Sequence, residues 1–109
     1  MTDAFVVFVT APSEESAGRI ARGVVESRLA ACVTLVSSIR SIYRWKGEIH
    51  DEKEILLVIK TKRESFDPLM EWIHSNHPYE VPEILALPVA AGLPAYLEWL
   101  ENAQHEETA

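Results

Sequence analysis

The chain has 109 residues, a formal net charge of −7 and an isoelectric point near 5.0. That balance argues against nucleic acid and an anionic membrane as main partners, because both need clustered Lys and Arg. The length predicts one domain over 1–109. The single cysteine, Cys32, cannot close an intrachain disulfide and points to a reducing compartment, expected to be the cytoplasm. The opening MTDAF has neither a basic stretch nor a long apolar one, so a signal peptide is not expected. No run reaches the ~18 apolar residues that span a bilayer.

Residues 4–10, AFVVFVT, predict a strand apolar on both faces. Ser13 followed by Glu14 and Glu15 predicts a helix N-terminus. Ala17, Ile20, Ala21, Val24 and Arg28 keep helical spacing, so 13–28 reads as an amphipathic helix. From Ala30 to Trp45 the period is two, with Ala31, Val33, Leu35, Ile39, Tyr43 and Trp45 assigned to one face. Ser37 and Ser38 interrupt the alternation and mark a bend. Lys46–Gly47 is a tight turn, and Glu48–Lys62 returns as a strand that becomes fully apolar over Ile55–Ile59. Ser65 and Pro68 open a second helix with Phe66, Leu69, Met70 and Ile73 on one face. It ends near Ser75–Asn76, where Pro78 holds His77 out of helical space. Ile84–Val89 is the last strand. A closing helix follows Gly92 and Pro94, with Leu93, Leu97 and Leu100 inward, and the polar tail 104–109 is expected to fray.

The order β-α-β-β-α-β-α predicts an α+β fold. It is the ferredoxin-like split β-α-β arrangement, with a long hairpin between its second and third strands and a C-terminal helix. Two features do not suit a lone copy. A 16-residue strand from Ala30 to Trp45 could extend about 53 Å at ~3.3 Å per residue, whereas a compact domain of this size is roughly 35 Å across. The hairpin must bend, bulge or project. Furthermore, FVVFV, ILLVI and ILAL are apolar on both faces. Two helices cover one face, and the short third helix cannot cover the other. The expected cover is further copies of the chain, in a closed ring such as a trimer.

The stretch HPYEVPE, residues 77–83, is dense in stiff and polar residues. Pro78 and Pro82 fix the corner before the last strand. His77, Glu80 and Glu83 are three donor side chains within seven residues and could approach one ion. They could equally be a capping His, a solvated Glu80 and a paired Glu83. A firm Zn or Cu site wants three or four ligands, commonly His or Cys. Cys32 reads as a packed thiol rather than a ligand or nucleophile, since no activating base is evident in the sequence. Lys60, on the same face as Glu54, Leu56 and Val58, reads as a partner for an anionic ligand or a snorkelling side chain. Tyr43 and Trp45 near the hairpin tip are expected at a subunit interface. His50 in EIHDEKE and His74 at the helix end are expected to be solvated. The loop TAPSEES lacks the Arg an acylphosphatase-like anion cradle needs, and no nucleophile triad or Walker loop occurs. An enzyme is therefore not expected. RRM-type RNA binding is disfavoured, since the strands lack its aromatic-basic signature.

The segments LAACV (29–33), SIYRWKGEI (41–49), LLVIKT (56–61), HPYEVPEILALPV (77–89) and YLEWL (96–100) together resemble the CutA family of divalent-cation tolerance proteins. The resemblance runs in order from Val6 to Leu100 and implies a ferredoxin-like subunit in a homotrimer joined through long hairpins. It also implies a link to tolerance of copper and other divalent cations; a non-enzymatic role is expected, with a metal-site candidate at His77 and Glu80, of which only His77 matches the family's motif. Kinship with the P-II signal transducers implies a small ligand, expected to be anionic, in an intersubunit cleft near Cys32, Glu54, Lys60, Tyr79 and Glu83. Family members with a proposed copper site carry a second His beside His77 and a Cys late in the first strand. Here those positions hold Asn76 and Val9.

Overall fold

The computed structural model describes residues 2–105. In chain order the elements are β1 (Ala4–Ala11), α1 (Glu14–Glu26), β2 (Cys32–Trp45), β3 (Glu48–Lys62), α2 (Phe66–Asn76), β4 (Ile84–Pro88) and α3 (Pro94–Ala103), with a 3-10 turn at Arg63–Ser65. The strands form one antiparallel sheet in the order β2-β3-β1-β4. Thus α1 carries the chain from β1 past β3 to the edge strand β2, and α2 carries it from β3 past β1 to the edge strand β4. The protein is α+β. No helix among the described residues is long and apolar enough to cross a membrane.

Local chemistry sets the boundaries. Ser13 caps α1, its Oγ accepting the Ser16 amide at 3.1 Å, with Glu14 and Glu15 in the first turn. The helix stops before Arg28, which was expected inside it. Arg28 takes a left-handed φ of 60°, and the Leu29 amide closes on the Val24 carbonyl at 2.9 Å. Lys46 and Gly47, at φ 51° and 82°, make the tight hairpin turn.

Cross-strand register sorts the side chains into rows. On the face under α1 and α2, Val33, Ile59, Val7 and Ala86 form one row, and Leu35, Leu57, Val9 and Ile84 the next. The middle of these rows packs on Ile20, Val24, Leu69 and Ile73 in a dry core. The other face carries Thr34, Val58, Phe8 and Leu85 in one row, and Cys32, Lys60, Val6 and Leu87 in the next. In a single copy this face is open, with Leu85 60% and Leu87 49% exposed.

The expected bend is a β-bulge. Val36 pairs with Leu56 and Ile39 with Glu54, so Ser37 and Ser38 together oppose Ile55, with Ser38 at φ 60°. The extra residue inverts the alternation. Ile39, Tyr43 and Trp45 therefore face the side opposite Val33 and Leu35, not the same side as expected. Beyond the bulge the hairpin projects, and the molecule measures 44 × 30 × 23 Å.

Three further expectations are corrected. Met70 is exposed on α2 while Leu69 and Ile73 are buried. Leu93, expected inward, sits at the N-cap of α3 and is exposed, whereas Leu100 is buried. Gln104, expected in a fraying tail, is only 4% exposed. Its Oε1 accepts the Lys62 amide at 3.2 Å, and its Nε2 donates to the Arg28 carbonyl and to Ser65 Oγ at 3.1 and 2.9 Å. Residues 106–109 of that expected tail lie outside the described residues.

Candidate functional site

The corner after α2 is built by the backbone restrictions of proline. His77 leaves the helix in extended geometry, at φ −92° and ψ 140°. Its ring turns inward and is 9% exposed. The Tyr79 amide donates to His77 Nδ1 at 3.0 Å, so the proton resides on Nε2, which donates to the Thr10 carbonyl at 2.8 Å. Burial holds the imidazole below its ordinary range, against the opposing pull of the Thr10 carbonyl. His77 is thus a neutral clamp between α2 and β1, with neither nitrogen lone pair free. Nearby, His74 Nε2 donates to the Glu80 carbonyl at 3.0 Å, and Arg19 donates to the Asn76 carbonyl at 3.1 Å.

The clamp aims Tyr79 at the sheet. Its hydroxyl donates to Glu54 Oε2 at 2.7 Å. Burial, this hydrogen bond and the neighbouring negative charge raise the phenol above its usual range, so it stays protonated and donating. Glu54 follows the bulge on β3 and is only 4% exposed. Glu83 stands at the rim, its carboxyl raised by partial burial and by Glu54. Tyr43 donates its hydroxyl to Glu52 and stacks on His50 with ring centroids 5.1 Å apart. That hydrogen bond to Glu52 pushes the Tyr43 phenol up to about 12.

Between the hairpin arm and the corner lies an open cleft of about 800 Å³. Tyr43, Trp45 and Lys46 line one side, Tyr79, Glu80 and Glu83 the other, and Glu54 and Thr10 lie between. The fold therefore brings Glu54, Tyr79, Glu80 and Glu83 together, and sets the expected interface residues Tyr43 and Trp45 beside them. His77 supports this cleft without lining it.

Cys32 and Lys60 do not join them. They pair across β2 and β3 in one row of the open face. Lys60 Nζ donates to Thr34 Oγ1 at 3.1 Å, and Cys32 Sγ lies 3.8 Å from the Tyr96 hydroxyl of α3. Six residues of β3 separate Lys60 from Glu54, on the order of 20 Å. Within one copy, Cys32 and Lys60 therefore lie apart from Glu54, Tyr79 and Glu83. Sequence reasoning missed Thr10, Ser41 and Lys46, and placed His50 in solvent, although it is half-buried against Tyr43. The cross-strand pairing of Tyr43 with His50 was the available signal.

The donor set does not fit a firm copper site. Both His77 nitrogens are engaged, and no three His, Cys, Asp or Glu side chains converge on one point among the described residues.

The chain is an α+β domain with a projecting hairpin and an acidic, aromatic-walled cleft. The model of the CutA1 divalent ion tolerance protein family matches residues 5–103. The divalent-cation tolerance protein CutA of Thermus thermophilus is 53% identical over 97 residues, covering 89% of this chain and 94% of that protein. The chloroplastic protein CutA of Arabidopsis thaliana is 45% identical over 98 residues, 90% of this chain but 54% of the plant protein's length. A solved structure of the divalent cation tolerance protein from Thermus thermophilus superposes with a TM-score of 0.89 at 50% identity, covering 92% of this chain and 97% of that one. The chain belongs to the CutA1 divalent ion tolerance family.

Proposed function

We propose that this chain acts in divalent-cation tolerance as a non-enzymatic, cytoplasmic homotrimer of ferredoxin-like subunits that engages divalent cations, copper among them, weakly. Family membership supports the tolerance role. The observation that carries the assembly is the open sheet face. Val6, Phe8, Val58, Leu85 and Leu87 form apolar rows that no helix of the same copy covers fully. The strand order β2-β3-β1-β4 supports the ferredoxin-like reading. Weak engagement follows from the donors: Glu80 is exposed and free to meet a hydrated ion, and His77 could add a nitrogen only after its clamp opens. Sedimentation should give about three times the 12.3 kDa of one chain; a folded single copy at micromolar concentration sinks the assembly. Calorimetric titration with Cu(II) on the native protein and His77→Ala tests the metal. An absence of heat in the native protein removes direct binding.

The cleft favours a second reading, a small-molecule sensor resembling the P-II group, with the ligand held near a subunit boundary. Its volume suits such a ligand. A thermal-shift screen of nucleotides and anionic metabolites tests the anionic form of this reading, in which ligand binding raises the melting temperature.

A further inference from the structure

The cleft contains a charge that the fold answers only in part. Glu54 is 4% exposed, yet its carboxylate takes one side-chain hydrogen bond, from Tyr79. Its other oxygen has no hydrogen-bond partner, and no Lys or Arg pairs with it, among the described residues. That oxygen still reaches the solvent of the cleft, and no side-chain cation among the described residues fills the place beside it that one ordinarily takes at a nearly buried carboxylate. Glu80 and Glu83 line the same space, against Lys46 as the one basic lining residue. The remaining walls are aromatic. In a single copy Tyr43 and Trp45 leave ring surface open, 37% and 45% exposed. Lys46 Nζ stands 5.8 Å from the Trp45 ring centroid, so an ammonium already uses this aromatic face.

We propose that the cleft binds a small organic cation, an ammonium or guanidinium on an apolar body, with its charged head at Glu54 and its body against Tyr43 and Trp45. This rests on the cleft-binding reading above and reverses the sign of the ligand charge. An anion would meet three carboxylates. A divalent metal ion would find donors that do not converge and could make no use of the ring surface. An organic cation answers both features. Its head supplies the missing partner of Glu54 and offsets the Glu54 repulsion that adds to burial in raising Glu83, and its body removes ring surface from water.

Benzamidine, benzamide and benzoate share one ring and differ in charge, so they test the assignment on the protein in its native assembly. Benzamidine should raise the melting temperature in a dose-dependent way and shift the indole N–H resonance of Trp45. Benzamide should bind about tenfold more weakly, the size of one modest charge interaction, and benzoate should give no shift. Glu54→Gln keeps the shape and the Tyr79 hydrogen bond; it should weaken benzamidine about tenfold without changing sedimentation. Should that variant not fold, Glu83→Gln at the rim serves, with a smaller loss in the same direction. Benzoate or benzamide binding as tightly as benzamidine overturns the charge assignment and leaves the cleft reading standing. Benzamidine binding that leaves the Trp45 resonance unmoved, or that the Glu variants do not weaken, also overturns the proposal. Binding by none of the three overturns the proposal and counts against the cleft reading too.

Discussion

Tyr79 donates its hydroxyl proton to Glu54 Oε2 over 2.7 Å, tying the proline-framed corner after α2 to the middle of β3. The two residues are 25 apart in sequence, and the bond closes one end of the cleft. Removing the donor leaves a buried carboxylate oxygen without a partner, which costs more than the net value of the bond. Tyr79→Phe should destabilise the protein by about 1–3 kcal/mol, read from the shift of a urea unfolding midpoint. Glu54→Leu in that background should recover part of the loss, because it removes the stranded charge.

His77 makes stability depend on pH. Its folded pKa lies below the ordinary value of 6.5, chiefly through burial. The unfolded chain therefore binds more protons between the two values, and stability rises with pH there. The contribution is fully present above 6.5 and is lost as pH falls through the folded value. Melting temperature should drop on acidification from pH 7.5 to 5.5. His77→Gln should flatten that part of the profile while melting lower than the native protein at pH 7.5.

Glu83 has the opposite sign. Its folded carboxyl is raised by partial burial and by Glu54, so the folded state holds the extra proton. Stability falls as pH rises through the folded value. Glu83→Gln should melt slightly higher than the native protein at neutral pH, and the gain should vanish below the ordinary carboxylate range. The effect stays small because the rim is wet. Paired thermal scans at two pH values check it.

Gln104 holds four partners that lose their contacts when its side chain is cut away, the Thr61 hydroxyl among them. It bonds the Lys62 amide, the Arg28 carbonyl and Ser65 Oγ, bringing α3 against the end of β3 and the loop after α1. Gln104→Ala should cost about 1–3 kcal/mol, the penalty for stranding buried polar groups. Amide exchange at Lys62 should accelerate, since its acceptor is gone.

The open sheet face carries the assembly proposal. Leu87 lies in the row with Val6 and Lys60 and is half exposed in one copy. Leu87→Glu would bury an unpaired carboxylate in any interface formed there. Sedimentation of this variant should show smaller species than the native protein. An unchanged sedimentation coefficient would remove this face from the interface.

The elements were legible because their signals are local. Ser13 before two acids, Lys46–Gly47 between alternating strands, and Pro78 after an apolar helix face each dictate backbone geometry within a few residues. Apolar residues on both faces of β1 and β3 likewise announced a sheet that a single copy covers incompletely. The serine pair at 37–38 announced a bend, but its consequence was not readable. Whether one residue or none is inserted decides which way every later side chain points, and that depends on pairing with β3.

The same limit governed the site. Local sequence marked His77, Tyr79, Glu80 and Glu83 as unusual, and it supplied the charge and aromatic types that make a cleft. It could not say that His77 would spend both nitrogens on the Thr10 carbonyl and the Tyr79 amide. Nor could it say that Glu54 would join Tyr79 while Lys60, six positions along the same strand, would not. Composition and spacing act between near neighbours along the chain. Long-range register, the bulge and the docking of the corner on β1 arise when distant segments compete for the same partners, and only the folded arrangement decides that competition.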